Sequence, residues 1–414
     1  MPYCKVGENR QEVKFQSREF LIFGAGFCIV NKPLGTKPRI VHAVSSPQSP
    51  DQAKAYNRLK LIIGIVSSAL TLLVLGVLVV SGYSRTLAEW AMKSTSYTYI
   101  ALLLFTAVIA SMEFAVTLPL SFYSGYVLEH RFNLSNQSLG RWTWEYAKGV
   151  LVSAPIAVVL VVMLYSCLDH FGEWWWLPLG VVLTLFTVLF ARLAPVLLLP
   201  LFYKFVPLED GSLKQRIVNL CRGAALRFEG VYTFDMSKNT KKANAGFTGI
   251  GKGKRIILGD TLVREFTEEE IETVFAHELG HYIHKHILIG ILIGTISTFA
   301  GLFVAARLYS WSLPAAGSGD LTDLGTLPVL ALWLSLFALV TTPLGNMLSR
   351  RHERQADAYA VETTHNAPAF ASALRKLASQ NLADPEPHPL IEFLFYSHPS
   401  IVHRLGRIER PEQV

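Results

Sequence analysis

Cysteine is scarce in this chain, and its few copies are far apart. The four are Cys4, Cys28, Cys167 and Cys221, and no two of them form a Cys-x-x-Cys pair. This spacing excludes a thiolate zinc site of the finger type and gives no sign of a disulfide framework. The cysteines fit a reducing setting, either facing the cytosol or buried in a membrane.

Charge is also in short supply. Only 17% of the 414 residues are charged, whereas 51% are hydrophobic. Six predominantly apolar runs are about 20 residues long, which is the length that a helix needs to cross a bilayer. They lie at residues 61–83, 97–122, 150–168, 174–202, 287–306 and 327–342. The sequence therefore predicts a mainly α-helical membrane protein with six spans.

Lysine and arginine are sparse on one side of this predicted bundle, where Arg85, Lys93 and Arg307 are minor exceptions. The loops at 169–173 and 310–326 contain neither, although the net charge of the chain is +7. The polar region 203–286 falls on the other side, where basic residues are dense. The positive-inside rule then places that region in the cytoplasm. No basic array is interleaved with aromatic residues, so a nucleic-acid partner is not predicted.

Composition divides the chain into five parts. We predict a partly disordered amino-terminal segment at 1–56, spans one to four at 57–204, a catalytic region at 205–286, spans five and six at 287–345, and a helical carboxyl-terminal region at 346–414. An apolar stretch at residues 20–30 is too short to span a bilayer unaided. It leaves open whether a seventh span exists.

The catalytic region predicts a helix followed by a small sheet. The helix covers residues 212–228, and the strands cover 231–236, 244–250 and 255–258. The glycine-rich turn at 251–254 lacks the Gly-Lys-Ser/Thr ending of a phosphate loop. An exposed strand edge could hold a substrate backbone by main-chain pairing. A strand that only supports the next helix is the alternative.

The strongest motif is the run His277-Glu278-Leu279-Gly280-His281. On a helix, positions i and i+4 share one face, so both imidazoles can reach a single zinc ion. Glu278 would then lie beside the metal, where a carboxylate can take a proton from water. The alternative is a pair of surface histidines on an ordinary helix.

Residues upstream of the motif predict where its helix begins. Thr267 and Glu270 have the spacing of a capping box, and three acids follow the cap. Acids in a first turn complement the positive end of the helix dipole. The two histidines therefore fall in the helix interior, as a shared metal site requires.

A catalytic zinc takes a third protein ligand and leaves a fourth position for water. Glu353 can supply that ligand, and Asp357 can accept the ring N–H of a ligating histidine. In isolation, their segment reads as a charged surface helix with ordinary ion pairs. Paired with the upstream histidines, the ligand interpretation is favoured.

A metzincin pattern does not fit the residues that follow. It would need glycine at position 284 and histidine at position 287, where the chain has His284 and Ile287. We interpret His284 and His286 as residues at the membrane interface or in contact with a ligand.

Several motifs together resemble the type I CAAX prenyl endopeptidases, which are integral-membrane zinc metallopeptidases. The resemblance covers roughly residues 57–410. The matching segments are 200–205, 207–208, 235–238, 243–249, 254–262, 277–281, 349–359 and 396–400, with Arg404.

The resemblance implies a helical barrel around a water-filled chamber, with a zincin-like site of the gluzincin type at its cytosolic end. It implies one Zn²⁺ per chain, held by His277, His281 and Glu353, with Glu278 as general base. The family's remaining site residues correspond here to Asn244 and Ala245 on the strand edge that holds the peptide, and to His398 and Arg404 near the substrate carbonyl or the Glu353 region.

Three features depart from the family pattern. Members usually have seven spans, whereas six are predicted here. Ser400 replaces the second proline of the His-Pro-Pro motif, and Gly246-Phe247 replaces a pair whose first residue is usually aromatic in eukaryotic members. The Gly246-Phe247 pair, together with the short loops, is more typical of a prokaryotic relative in the inner or plasma membrane. Prenylated CAAX substrates are not expected there.

The sequence thus predicts a membrane zinc metalloendopeptidase that acts on peptides or proteins beside the lipid bilayer. A carboxyl-terminal substrate and a lipidated one both stay open. One alternative is a quality-control protease with the same chemistry. Another class is a transporter or sensor with a structural zinc, which would have a closed fourth position and no need for Glu278.

Overall fold

The structure, a computed structural model, describes residues 49–226, 228–248 and 255–409. Three sequence predictions lie outside the described residues: the disorder of most of the amino-terminal segment, the apolar stretch 20–30 and the glycine-rich turn 251–254.

The first half of the chain is a series of helices. They are α1 (Pro50–Val80), α2 (Tyr83–Ser94), α3 (Thr98–Phe122), α4 (Leu128–Arg131), α5 (Leu139–Phe171), α6 (Trp176–Leu197) and α7 (Leu199–Phe202). A π-helical turn at Tyr123–Val127 joins α3 to α4 without a break.

The second half mixes a sheet with further helices. Its elements are β1 (Phe205–Pro207), α8 (Ser212–Gly223), β2 (Gly230–Phe234), β3 (Ala245–Thr248), β4 (Arg255–Gly259), α9 (Asp260–Glu265), α10 (Glu268–Ile283), α11 (His286–Ser312), α12 (Leu327–Thr364), α13 (Ala367–Asn381), α14 (Pro389–Phe395) and α15 (Ile401–Glu409).

Six helical segments in the described part of the chain are long and apolar enough to cross a membrane. They are Pro50–Val80, Thr98–Arg131, Leu139–Trp174, Trp176–Phe202, His286–Ser312 and Leu324–Thr364. Each overlaps one of the six predicted runs over most of its length, so the mainly helical, six-span prediction is confirmed. Large apolar side chains such as Val80, Leu185 and Ile296 are exposed on these helices. Such surface needs no protein cover in lipid, which is as apolar as leucine. The enclosed chamber stays a prediction.

The sheet has four strands in the order β1-β2-β4-β3. β2 and β4 are parallel, whereas β1 and β3 each run antiparallel to their neighbour. The three predicted strands are present, and β1 was not predicted. Residues 236–238 form a helical turn rather than the end of β2, and the predicted helix 212–228 ends already at Gly223.

A single apolar core joins the sheet to the helices around it. Ile256 and Leu258 of β4 pack in one cluster with Phe275 and Leu279 of α10 and with Phe370 of α13. All five side chains are fully or almost fully buried. Because well-packed interiors resist deformation, this core holds α10 firmly against the sheet.

Gly280 lets α10 lie unusually close to α12. A Cβ atom on Gly280 would lie 2.9 Å from the Cα of Ala356 and 3.1 Å from the Cβ of Tyr359. Only glycine therefore fits at this crossing without moving a backbone. Ala356 lies between Glu353 and Asp357 on α12, so the contact brings those carboxylates to the level of the His277–His281 pair.

We predict that Gly280→Ala separates α10 from α12 and weakens both stability and metal retention. Overpacking of this kind costs about 1–3 kcal/mol of unfolding free energy. Thermal unfolding in detergent and metal content after dialysis would measure the two effects. Gly290→Ala on α11 is the control, because no atom lies within 4 Å of its added Cβ. Equal behaviour of the two variants would contradict the prediction.

Candidate metal centre

A reciprocal cap fixes the start of α10, the helix that carries the two histidines. The Thr267 hydroxyl accepts a hydrogen bond from the Glu270 backbone N–H, and the Glu270 carboxylate accepts one from the Thr267 N–H. This is the capping box that the sequence predicts. It places His277 and His281 well inside the helix, on the face turned to α12.

Two imidazole nitrogens and both oxygens of one carboxylate converge between α10 and α12. His277 Nε2 lies 3.2 Å from His281 Nε2 and 3.4 Å from Glu353 Oε2, and His281 Nε2 lies 3.3 Å from Glu353 Oε1. In a tetrahedral zinc site with bonds of about 2.0–2.1 Å, neighbouring ligand atoms lie about 3.3 Å apart. The two imidazoles and the carboxylate therefore lie at separations that suit ligands of one ion.

The donor set also has the chemistry that a cation needs. Glu353 is only 5% exposed, and its Oε2 atom has no hydrogen-bond partner among the described residues. Burial lowers the pKa of His277, but Asp357 and Glu353 outweigh it and raise that pKa to about 9. The buried carboxylates thus draw positive charge to this point. Two imidazoles and a carboxylate fit a divalent cation, and zinc in particular.

Glu278 lies next to the two histidines but outside their hydrogen bonds. Its side chain is partly buried, and burial raises its pKa, against the opposing effect of His277 and His281. Among the described residues it has no hydrogen-bond partner. The carboxylate is therefore free to exchange a proton with a molecule bound at the site.

Asp357 and Arg404 form a buried pair behind His277. Asp357 Oδ1 lies 2.9 Å from His277 Nδ1. Arg404 donates two hydrogen bonds to Asp357, from Nε at 2.9 Å and from Nη2 at 2.6 Å. Arg404 is only 9% exposed, and its Nη2 lies 3.9 Å from Glu353 Oε2. Arg404 thus holds Asp357 through Nε and Nη2, and its guanidinium lies near Glu353.

His398 approaches the same centre from the open side. Its Nε2 lies 3.3 Å from Glu353 Oε1, yet 61% of its side chain is exposed. Arg350 holds the preceding segment in place by donating hydrogen bonds to the carbonyls of Glu392 and Tyr396. His398 and Arg404 were both predicted to lie near the substrate carbonyl, and of the two only His398 is exposed enough for a substrate to reach.

Asn244 and Ala245 lie at the start of β3, which is an outer strand of the described sheet. The Asn244 carbonyl accepts a hydrogen bond from Gly259, and Ala245 pairs with Leu258 of β4. Phe247 of the same strand packs on Phe275 of α10, with ring centroids 5.2 Å apart. The outer strand is thus attached directly to the helix that carries the two histidines.

Two residues at the site carry contacts that the sequence does not reveal. His286 Nδ1 lies 3.0 Å from His281 Nδ1, and His286 Nε2 lies 2.9 Å from Gln355 Oε1. The chain reverses at Lys285, which has a left-handed backbone with φ of 57°. That conformation is rare for lysine. His286 was a candidate by its place after the motif, whereas no sequence signal singled out Gln355.

Comparisons with known proteins show the family of this chain. The sequence profile of peptidase family M48 matches residues 207–412, and that of the CAAX prenyl protease N-terminal region, with five membrane helices, matches residues 32–204. The Bacillus subtilis protein YhfN, described as an uncharacterized metalloprotease, is 30% identical over 364 residues, which are 87% of this chain and 85% of YhfN.

Two yeast proteins extend the comparison. CAAX prenyl protease 1 of Saccharomyces cerevisiae is 30% identical over 329 residues, or 74% of this chain and 72% of the relative. The crystal structure of S. mikatae Ste24p matches with a TM-score of 0.78 and 26% identity, covering 89% of this chain and 91% of the other. The chain therefore belongs to peptidase family M48, as a multi-pass membrane metalloendopeptidase of the CAAX prenyl protease 1 group.

Proposed function

We propose that this endopeptidase uses one Zn²⁺ per chain, held by His277, His281 and Glu353. The observation that carries the proposal is the convergence of their ligand atoms at 3.2–3.4 Å from two different helices. Separate helices can hold ligands in fixed positions before the metal arrives.

The chain's own groups account for the proton transfers of peptide hydrolysis. When bound, zinc supplies Lewis acidity, which lowers the pKa of water from 15.7 toward about 7 and polarises the scissile carbonyl. Glu278 accepts the proton of the attacking water and donates it to the leaving amine. The burial that raises the pKa of Glu278 suits a group that must both accept and release a proton.

Substrate positioning falls to the exposed groups around the centre. Asn244 and Ala245 would hold the substrate backbone extended along β3. His398, which is exposed, would donate a hydrogen bond to the developing oxyanion, a role worth about 3 kcal/mol. Arg404 instead acts as a positioning residue, because its guanidinium is buried and bound to Asp357.

The substrate is proposed to be a peptide or protein segment held beside the lipid, with the catalytic region in the cytoplasm. The absence of Lys and Arg from the loops 169–173 and 310–326 supports this orientation. Relatives named CAAX prenyl proteases make carboxyl-terminal peptides the first substrates to test. A transporter or sensor with a structural zinc is disfavoured, because Glu278 would then have no role.

We predict that purified protein cleaves a carboxyl-terminal peptide and that Glu278→Gln lowers turnover at least about a hundredfold. Cuts would be mapped by mass spectrometry on farnesylated and plain versions of one peptide, with and without a zinc chelator. Zinc content of each sample would be measured in parallel. Glu386→Gln, on an exposed loop, is the matched control.

Two outcomes would contradict this function. Turnover by Glu278→Gln close to wild type, with zinc still bound, would remove Glu278 as the base. Active wild-type protein without stoichiometric zinc would remove the metal assignment. Equal cleavage of the plain and farnesylated peptides would show that the lipid is not recognised.

We also predict that Asp357→Asn weakens zinc binding by about 10–100-fold, because the amide is a poorer partner for His277 Nδ1–H. Arg404→Lys should weaken it less, since lysine keeps the charge and loses the two-pronged contact. Competition against a fluorescent chelator would measure both. Asp384→Asn, in the loop after α13, serves as the control, and an effect there as large as at Asp357 would refute the role.

A further inference from the structure

The two histidines of the metal centre have different partners behind them. His277 Nδ1 faces Asp357, a carboxylate that Arg404 holds in place. His281 Nδ1 faces another imidazole, that of His286, at 3.0 Å. A carboxylate partner raises the basicity of a ligating imidazole more than a neutral partner does. The two ligands are therefore not equivalent.

The contacts of His281 allow only one arrangement of protons once its Nε2 atom binds a cation. Nδ1 of His281 must then carry the hydrogen and donate it, so His286 Nδ1 must accept. His286 consequently carries its own hydrogen on Nε2. That atom lies 2.9 Å from Gln355 Oε1, which is an acceptor. In this series of hydrogen bonds, from His281 to His286 and from His286 to Gln355, each N–H donor meets an acceptor.

We propose that His286, oriented by Gln355, is a positioning residue that fixes the tautomer and ring plane of His281. This inference rests on the proposed zinc site. As a neutral partner, His286 orients the ligand without adding negative charge beside the metal, which keeps the metal a stronger Lewis acid.

Neighbouring rings show how His286 itself is held. His352 stacks on it with centroids 4.0 Å apart and planes at 10°, and His284 lies at 5.5 Å and 18°. Among the described residues, only His286 of these three contacts a ligand histidine through a hydrogen bond. The other two rings therefore provide packing without the proposed donor–acceptor contact.

The test compares His286→Phe with His284→Phe in the full-length protein. Phenylalanine keeps the stack and removes the acceptor, so His286→Phe should weaken zinc binding by about 10–100-fold and broaden the visible spectrum of cobalt-substituted protein. His284→Phe should change affinity less than about threefold. Equal zinc affinity of wild type and His286→Phe would overturn the proposal.

A second pair of variants guards against misfolding of His286→Phe. Gln355→Glu places a carboxylate behind His286 and should tighten zinc binding while slowing turnover, whereas Gln355→Leu should weaken binding. A change of zinc affinity in the same direction in both variants would overturn the proposed role of His286 and Gln355. Wild-type protein that binds no zinc would instead overturn the proposed function, so the two failures are distinguishable.

A separate feature lies far along the chain from these residues, where α5 begins and α7 ends. A cavity of about 560 Å³ opens there, and its lining includes Arg141, Lys148, Lys204 and Lys238 but only one acid, Glu145. Basic pockets between membrane helices at the cytoplasmic surface bind anionic lipid head groups.

Half of these cations are already engaged. Lys148 lies 2.8 Å from Glu145, and Lys238 donates to the Phe202 carbonyl at 2.6 Å and to Asp235 at 3.0 Å. Arg141 and Lys204 are exposed, and their side chains have no ion pair or hydrogen bond among the described residues. The cavity therefore presents two uncompensated positive charges.

The walls of the cavity belong to the ends of two membrane spans. Trp144 of α5 and Leu201 of α7 also line it, and both are largely exposed. Tryptophan and basic residues at span ends lie at the level of lipid head groups. We infer that the cavity binds the phosphate of an anionic phospholipid through Arg141 and Lys204, with the acyl chains along the adjoining spans.

The test reconstitutes the protein in equal amounts of phosphatidylglycerol and phosphatidylcholine. Native mass spectrometry of retained lipid should show a preference for phosphatidylglycerol of about tenfold to thirtyfold, lost in Arg141→Gln/Lys204→Gln. The control variant Lys54→Gln/Arg58→Gln removes two exposed cations at the amino end of α1 and should keep the preference for phosphatidylglycerol. No preference, or an equal loss in the control, would overturn the site. Equal thermal stabilisation by free glycerol phosphate would identify a site for small anions instead of a lipid.

Discussion

The close approach of α10 to α12 at Gly280 is the contact on which the candidate metal centre depends. Neither helix could build the centre alone, since one carries the imidazoles and the other carries the carboxylates. A wider separation of the helices at Ala356 would move Glu353 away from both histidines. The site is thus first a consequence of backbone packing and only then of side-chain chemistry.

The same two helices connect the centre to the membrane. α12 is a single helix of 38 residues that spans the bilayer and continues past it to carry Glu353 and Asp357. α10 is followed by α11, a span, after a turn centred on Lys285. A change in the packing of the spans would therefore also change the positions of the histidines and carboxylates at the centre. The predicted membrane spans and the candidate metal centre thus share α12 and the junction of α10 with α11.

Local patterns predicted the features that depend on neighbouring residues. The apolar runs gave six spans, the Thr267–Glu270 box gave the start of α10, and the spacing of His277 and His281 gave a shared face. β1 escaped because three residues cannot show an alternating pattern, and its pairing partner β2 lies 25 residues further on. Distant contacts were equally hidden: nothing local to Arg404 shows that its Nε and Nη2 atoms both donate to Asp357.

The partner of His281 could not be read from the sequence either, yet charge explains why it is neutral. Glu278, Glu353 and Asp357 bring three negative charges to a largely buried pocket, and Arg404 supplies one positive charge. The remainder is two negative charges, which a divalent cation neutralises. A second carboxylate, placed behind His281, would leave an unpaired charge where desolvation is costly. His286 and Gln355 satisfy the hydrogen bond without that charge. The two histidines of the candidate centre therefore have one charged partner, Asp357, and one neutral partner, His286.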